Sequence, residues 1–311
     1  MKARTGCFEC VLDDVLGGAR LETDSPALRE QVRSEVLAYL NDTFALDREP
    51  SEFITGVHRI LKRVLGREMP FRALRDKCNT IGVALVARIE RDTDDLPDRE
   101  RFQQRLRWAI AGNELDFRTV GAGYEMSETE IHARLSDSVA RPLAVDQTDR
   151  IYTLLRGAGH VLYIPDNVGE LAFDRLFIRE IRRSCRSITV PLRGGPITSD
   201  AVLADGDTCG IPAVADRVIL AGPDTLGISW REMSVELREE IAAADVVVGK
   251  GQANYYVLTE HRAAIPGQVV SLLRTKCDIV SGEFGLTGKV SVATVLERVT
   301  GAASSGPGAP R

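Results

Sequence analysis

The stretch that decides the fold is His160-Val161-Leu162-Tyr163-Ile164-Pro165-Asp166-Asn167-Val168-Gly169-Glu170, a short apolar run followed by a polar turn. Such a run, bounded by turn residues, is typical of a buried strand. Similar runs recur downstream, separated by helical stretches. Alternating strands and helices indicate a mainly parallel sheet flanked by helices, which is an α/β fold. The predicted strands are 160–164, 187–192, 217–220, 245–248 and 268–273, and the helices between them are 170–183, 234–243 and 254–261.

The residues before this sheet have the periodicity of helices. Asp24-Ser25-Pro26 is typical of a helix start, because serine caps the first turn and proline fits its first position. Further helices are predicted at 51–65, 71–89, 99–111 and 147–156, and a last one at 291–299. We therefore predict a mainly helical domain at 1–143, an α/β domain at 144–300, and a disordered tail at 301–311 that is rich in glycine, alanine, serine and proline.

The overall composition is that of an ordinary globular protein. The chain has 311 residues, 27% of them charged and 44% hydrophobic, with a net charge of −5. This charge provides no electrostatic footprint for nucleic acid or an anionic membrane. No apolar run approaches the roughly 18 residues that would span a bilayer. We expect a cytoplasmic protein with no nucleic-acid or membrane partner, and the oligomeric state stays open.

The six cysteines do not form a disulfide framework in so long a chain. Cys7 and Cys10 form a C-x-x-C pair, and the other four stand alone. A zinc ribbon would need a second pair. We interpret Cys7 and Cys10 as reduced thiols that anchor the N-terminal segment, with a metal or redox role as the alternative. None of the four histidines is predicted to be a ligand.

Polar residues follow several predicted strands at the point where each strand ends. In open α/β sheets the ligand crevice lies outside the carboxyl ends of the strands. We therefore expect these residues to meet at one edge of the sheet. They are Asp166, Asn167, Glu170, Asp200, Lys250, Gly251, Gln252, Asn254 and Lys276.

This set suits a divalent metal that holds a phosphate. Asp166, Asn167 and Asp200 offer oxygen ligands, which hard cations prefer. Lys250 and Lys276 could neutralise phosphate oxygens as point charges. The loop at 249–254 leads into a helix, whose first amide groups form an anion site. Each residue taken alone could also be an ordinary turn or helix-cap residue.

At these residues the sequence resembles the damage-control phosphatase family. The resemblance is collinear and spans nearly the whole chain, and the cysteine pair is similar to the mainly prokaryotic branch of the family. The motifs that carry it are Cys7-x-x-Cys10, Gly112-Asn113-Glu114-Leu115-Asp116-Phe117, Asp166-Asn167-Val168-Gly169-Glu170, Ser199-Asp200 with Asp205, Gly249-Lys250-Gly251-Gln252-Ala253-Asn254-Tyr255 and Lys276-Cys277-Asp278.

The resemblance implies a helical domain joined to a Rossmann-like α/β domain. It also implies metal-dependent hydrolysis of a phosphomonoester of a small metabolite, such as a sugar phosphate or a nucleotide, with Mn²⁺, Mg²⁺, Co²⁺ or Ni²⁺ as the metal. The family's residues carry over as metal ligands onto Asp166, Asn167 and Asp200, as phosphate-binding residues onto Lys250 through Asn254 and Lys276, and as groups from the helical domain onto Asn113 and Asp116.

Two positions depart from the family pattern, Tyr256 and Val202, and they leave substrate preference open. The nucleophile is either a metal-oriented water or Asp166 itself, and Asp200 or Glu170 could orient the water. Three arginines, 118, 193 and 274, are either substrate contacts or structural. One rival function is an S-adenosylmethionine-dependent methyltransferase, which would need a glycine-rich turn directly after the first strand. The other is a phospho-metabolite binding module without turnover.

Overall fold

The structure is a computed structural model that describes residues 1–117 and 128–298, and a mainly parallel sheet forms its centre. Its strands are β1 (Val145–Asp146), β2 (His160–Ile164), β3 (Ser187–Leu192), β4 (Arg217–Leu220), β5 (Val246–Lys250), β6 (Gln268–Arg274) and β7 (Ser291–Leu296). Their order is β1-β7-β6-β5-β2-β3-β4, and the described strands run parallel to their neighbours except β7 against β6. The predicted α/β fold is confirmed.

The direction of strand addition reverses between β2 and β5. From β2 the chain continues to β3 and β4 on one side, and it then returns to the other side of β2 with β5 and β6. Ile164 at the end of β2 pairs with Gly249 near the end of β5. A crevice for a ligand is expected outside the carboxyl ends of two such strands.

Helices surround the sheet, and β2, β3 and β5 are almost entirely buried, as is typical of strands covered on both faces. The helices are α1 (Thr5–Glu22), α2 (Pro26–Thr43), α3 (Pro50–Leu65), α4 (Arg72–Asp94), α5 (Asp98–Ala111), α6 (Glu128–Ala140), α7 (Thr148–Gly157), α8 (Glu170–Arg182), α9 (Leu203–Cys209), α10 (Val235–Ala243), α11 (Gly251–Glu260) and α12 (Asp278–Gly282). Among the described residues no helix has the length and apolar character needed to cross a bilayer.

The helical part of the chain packs directly on the α/β part. Helices α1, α2 and α3 share one hydrophobic cluster, which includes Val15, Val36 and Phe53. In contrast, α4 and α5 contact α8, and the cluster that contains Phe173 and Phe177 also includes Ile81 of α4 and Leu106 of α5. One hydrophobic core therefore extends across residue 143. The division into domains at 1–143 and 144–300 stays a prediction.

The predicted helix at 291–299 is wrong, because residues 291–296 form β7, antiparallel to β6. The run Ser-Val-Ala-Thr-Val-Leu contains three β-branched residues, which favour strands. Val292 and Val295 are buried in the sheet, and this packing outweighs any helical preference. The predicted disordered tail at 301–311 lies outside the described residues, and so does Arg118.

Candidate active site

The chain segments that follow β2 and β3 are joined by main-chain interactions. Ala201 N donates a hydrogen bond to Asp166 O (2.9 Å), and Asn167 and Asp200 form an isolated antiparallel bridge. Asp166, Asn167 and Asp200 are 3%, 2% and 0% exposed. The main chains of the three predicted metal ligands therefore meet at the carboxyl edge of the sheet, where Asp166 and Asn167 line the cavity and Asp200 is fully buried.

The Asp166 carboxylate receives hydrogen bonds from two neutral amides. Its Oδ2 accepts from Asn167 Nδ2 (2.7 Å) and from Asn113 Nδ2 (3.4 Å). Burial, and secondarily the nearby Glu170 carboxylate, raises the pKa of Asp166 well above its usual range. Asn113 lies on a 3₁₀ turn, Gly112–Leu115, that follows α5. The helical part of the chain thus reaches the site through Asn113, as predicted.

Asp200 is held by its own set of partners. Its Oδ1 accepts from Gly227 N (2.6 Å) and lies 3.1 Å from Arg193 Nη2, and its Oδ2 accepts from Thr198 Oγ1 (2.9 Å). Arg193 is fully buried and also donates through Nη1 to Pro165 O (2.8 Å). Of the two interpretations offered for Arg193, the structure favours the structural one.

Glu170 begins α8 and connects two parts of the site. Its Oε2 accepts from Asn113 Nδ2 (3.1 Å) and from Asn167 Nδ2 (3.1 Å), and its Oε1 accepts from Lys250 Nζ (2.6 Å). The preceding residue, Gly169, has a φ of +72°. This left-handed conformation favours glycine and turns the chain from the ligand segment into the helix.

Lys250 lies among buried carboxylates. Its Nζ donates to Ala109 O (2.7 Å), Glu170 Oε1 (2.6 Å) and Asp174 Oδ1 (2.6 Å), and its side chain is fully buried. Burial alone would lower the pKa of Lys250, but Asp174 and Glu170 outweigh it and raise the pKa. This position differs from the predicted one beside a phosphate, because three acceptors occupy the three protons of the ammonium group.

The residues that open α11 have separate roles. Gly251 has a φ of +75°, and a Cβ placed on it would lie 1.8 Å from Asp166 Oδ2. Gln252 lines the cavity, and its Oε1 accepts from Lys276 N (2.7 Å). Asn254 is buried, with its Nδ2 donating to Pro165 O (3.1 Å) and its Oδ1 accepting from Ile228 N (2.9 Å). Asn254 therefore supports the loop after β2, Gly251 lies against the Asp166 carboxylate, and Gln252 borders the cavity.

Lys276 and Asp116 form an ion pair on the wall of the cavity. The Asp116 side chain is fully buried, whereas the Lys276 side chain is 30% exposed. Lys276 follows β6, and Asp116 follows the 3₁₀ turn of the helical part. Of the two predicted phosphate-side lysines, Lys276 is the one that faces the cavity.

The cavity has a volume of about 220 Å³. Asp166, Asn167, Asp116, Gln252 and Lys276 line one part of it. Helix α1 supplies a further wall, which sequence reasoning missed because α1 itself was not predicted. The α1 residues at the cavity are Cys10, Asp13 and Asp14.

Some contacts of the site residues could not be predicted from the sequence, and the ion pair of Lys250 with Asp174 is one of them. Asp174 lies four residues after Glu170, a spacing that places both on one face of α8 and could have suggested a shared partner. Arg274 pairs with Glu114 (Nε–Oε1, 2.9 Å), which favours a structural role. The cysteines of the described residues form no disulfide, with Cys7 buried and Cys10 exposed.

By residue type the donor set suits a hard divalent cation, although Asn167 turns its nitrogen to Asp166 here and the Asp200 oxygens accept from Thr198 and Gly227. Two carboxylates and a carboxamide are the oxygen ligands that Mg²⁺ and Mn²⁺ take. The missing side chain of Gly251 allows the Asp166 carboxylate to lie against the start of α11. Within residues 1–117 and 128–298, no three His, Cys, Asp or Glu side chains form a group that could hold a metal alone. An ion would therefore need Asn167 together with water or substrate oxygens.

Comparison with known proteins finds relatives that match almost the whole chain. Residues 3–290 match the family model described as the damage-control phosphatase ARMT1-like domain. A damage-control phosphatase of Archaeoglobus fulgidus is 31% identical over 300 residues, which cover 96% of this chain and 100% of that protein. A damage-control phosphatase of Pyrococcus horikoshii is 27% identical over 285 residues, or 91% and 94% of the two chains.

A solved structure agrees with this result. The crystal structure of a DUF89 family protein from Pyrococcus horikoshii superimposes with a TM-score of 0.85 at 25% identity, and the match covers 96% of this chain and 100% of that one.

Proposed function

Because this chain belongs to the damage-control phosphatase family, we propose that it hydrolyses a phosphomonoester of a small metabolite with the help of a divalent metal ion. The proposed metals are Mn²⁺, Mg²⁺, Co²⁺ or Ni²⁺. Asp166, Asn167 and Asp200 would hold the ion, which when bound polarises the phosphate and draws negative charge from it.

The observation that carries this proposal is the state of Asp166. This carboxylate is buried and faces the cavity, and it accepts hydrogen bonds from the neutral amides of Asn113 and Asn167. Burial and the carboxylates of Glu170 and Asp200 raise the pKa of Asp166, and they outweigh the cations Lys276 and Arg193, which lower it. A buried carboxylate is costly unless a cation compensates it. A divalent ion at the cavity wall would supply this compensation, and a carboxylate retains further lone pairs for it.

The remaining cavity residues suit a phosphate group. Lys276 offers an ammonium group at the cavity, and Asp116 holds that group in place. Gly251 begins α11, whose first amide groups are favourable for an anion. The attacking group is a water molecule or Asp166 itself, and both routes remain part of the proposal.

Cavity size and charge narrow the proposed substrate. Its volume of about 220 Å³ is below the ~300–1,000 Å³ of pockets for drug-sized ligands. A compact substrate such as a sugar phosphate therefore fits better than a nucleotide buried whole. Asp13 and Asp14 on the α1 wall disfavour a second anionic group beside them, although Asp14 is also paired with His58 (2.7 Å) and Lys289 lines the same cavity. We expect neutral, hydroxyl-bearing phosphomonoesters to be better substrates than bisphosphates of similar size.

Phosphate release from p-nitrophenyl phosphate, with and without each metal, tests the function. We expect metal-dependent release by the wild type and by Asp47→Ala, which removes an exposed carboxylate, but none by Asp166→Ala. Metal-dependent release by Asp166→Ala would refute the assignment of this residue. Binding without release would indicate a binding module, and stabilisation by S-adenosylmethionine alone would indicate a methyltransferase.

A further inference from the structure

Lys250 connects the site to a buried network that the proposed reaction does not use. Two carboxylates, Glu170 and Asp174, share this one ammonium group, and all three side chains are at most 1% exposed. Tyr163 OH also donates to Asp174 Oδ1 (2.6 Å). Asp174 Oδ2 has no hydrogen-bond partner among the described residues. The position of Asp174 therefore depends strongly on Lys250.

Glu170 links Lys250 to the proposed metal ligands through its two carboxylate oxygens. One of its oxygens is held by Lys250, so the other is directed at the amide groups of Asn113 and Asn167. Asn167 Nδ2 is thus placed between the carboxylates of Glu170 and Asp166, which can only accept hydrogen bonds when ionised. Asn167 Oδ1 then accepts from Ser199 Oγ (2.8 Å). The amide of Asn167 is therefore held with its nitrogen towards Asp166 and its oxygen towards Ser199, and Oδ1 keeps a second lone pair for an ion.

Lys250 also fixes the helical part of the chain against the sheet edge. Its third acceptor is the carbonyl of Ala109, in the last turn of α5, 141 residues away in sequence. Asn113 follows on the adjoining 3₁₀ turn. A single buried ammonium group therefore sets the position of both sides from which Asp166 receives its amide hydrogen bonds.

We propose that Lys250 is a positioning residue, which orients Glu170, Asn113 and Asn167 around Asp166 and does not contact the phosphate. This inference rests on the proposed function. It assigns direct contact with phosphate to Lys276 at the cavity wall, and it explains why a lysine in the phosphate-loop sequence is fully buried.

A charge-matched double variant, Lys250→Met with Asp174→Asn, tests the proposal. It removes one positive and one negative charge, so the net charge near the site is conserved. Loss of partners that orient metal ligands costs roughly 10–100-fold in metal affinity or activity. We expect a loss of this size in Mn²⁺ affinity, measured by calorimetry without substrate, and in kcat. The KM for p-nitrophenyl phosphate and the inhibition constant of inorganic phosphate should stay at wild-type values.

Two further variants provide the comparison. Lys276→Met should raise the KM and the inhibition constant of phosphate, because this lysine faces the cavity. Glu180→Gln removes another buried carboxylate of α8, which pairs with Arg101 (2.8 Å) and Arg105 (3.0 Å). It should lower the stability while leaving kcat and Mn²⁺ affinity unchanged at temperatures where the protein is folded. If the double variant does not fold, Glu170→Gln removes the ion pair with nearly unchanged volume and should give the same kinetic pattern.

The outcomes separate this inference from the proposed function. A parallel rise of KM and of the phosphate inhibition constant in the Lys250 variant, with unchanged Mn²⁺ affinity, would make Lys250 a phosphate contact. Wild-type values of Mn²⁺ affinity, kcat, KM and the phosphate inhibition constant in the double variant would exclude a positioning role for Lys250. If the wild type binds Mn²⁺ but releases no phosphate, the phosphatase proposal fails, while a loss of Mn²⁺ affinity in the double variant still supports the role of Lys250.

Discussion

Replacing Gly251 by alanine should disable the site through a single methyl group. The added Cβ would lie 1.8 Å from Asp166 Oδ2 and 2.2 Å from Asp166 Cγ. Carbon–oxygen contacts are normally no shorter than about 3.3 Å, so the two groups must separate by roughly 1.5 Å. The carboxylate has little room for such a shift, because Asn167 holds Oδ2 at 2.7 Å.

The expected loss follows from this displacement. Misplacement of a reacting group by about 1 Å can cost on the order of 10²-fold in rate. We therefore expect kcat/KM of Gly251→Ala for p-nitrophenyl phosphate with Mn²⁺ to fall by about 10²-fold or more, which corresponds to about 2.7 kcal/mol of transition-state stabilisation. Mn²⁺ affinity should fall as well, because the methyl group displaces the carboxylate that is proposed to bind the ion.

Gly285→Ala is the matched control. Gly285 has a φ of +70°, close to the +75° of Gly251, and nothing lies within 4 Å of an added Cβ. Both variants bear the cost of a left-handed alanine, about 1–2 kcal/mol, so their unfolding in urea should show a similar minimum loss of stability. Only Gly251→Ala should lose activity. Activity of Gly251→Ala equal to that of Gly285→Ala would refute the close approach of Gly251 to Asp166.

Two further predictions concern the framework of the site. Gly82→Ala in α4 should lower both stability and kcat. A Cβ at this position would lie 2.3 Å from Gly169 O and would displace the turn before Glu170. Unchanged thermal unfolding of the variant would contradict this packing. The second prediction is that the free energy of unfolding decreases at low pH in part through Asp245. Hydrogen bonds from the main-chain amides of His160 and Gly159 lower the pKa of this carboxyl group. The folded-state pKa lies below the ordinary 3.8, so this stabilisation is present above that pH and is lost as the pH falls further. Asp245→Asn should therefore reduce the acid dependence of the unfolding free energy, and an unchanged pH profile would exclude the effect.

The sheet was largely predictable because its strands are short apolar runs between turns. The bounds of β2, β3 and β4 agree with the sequence-based ones. Helix α1 could not be predicted from local pattern, because Gly17 and Gly18 disfavour a helix there and its core residues, Val11 and Val15, pack against distant helices. The segment 291–296 was assigned to a helix because its pairing partner, β6, lies elsewhere in the sequence. Local periodicity does not reveal such pairing.

The candidate site was predictable only as far as the backbone determines it. The rule that ligands bind at the carboxyl ends of strands places Asp166 and Asn167 at the cavity, where the structure has them. Their role as metal ligands stays a prediction. The side-chain direction of Lys250 could not be inferred in this way, because its three acceptors come from α5 and α8, and their convergence depends on the tertiary packing.

This dependence also explains why the site joins the two parts of the chain. The sheet edge supplies Asp166, but Asn113, which donates to it, and Asp116, which holds Lys276, both lie on residues that precede the sheet. The positions of these two residues depend on α5, which packs on α8 in the common hydrophobic core. The same α8 presents Glu170 and Asp174 to Lys250. One interface therefore contains both the hydrophobic contacts between α5 and α8 and the buried charges beneath the cavity. The geometry around Asp166 can form only when this interface has formed.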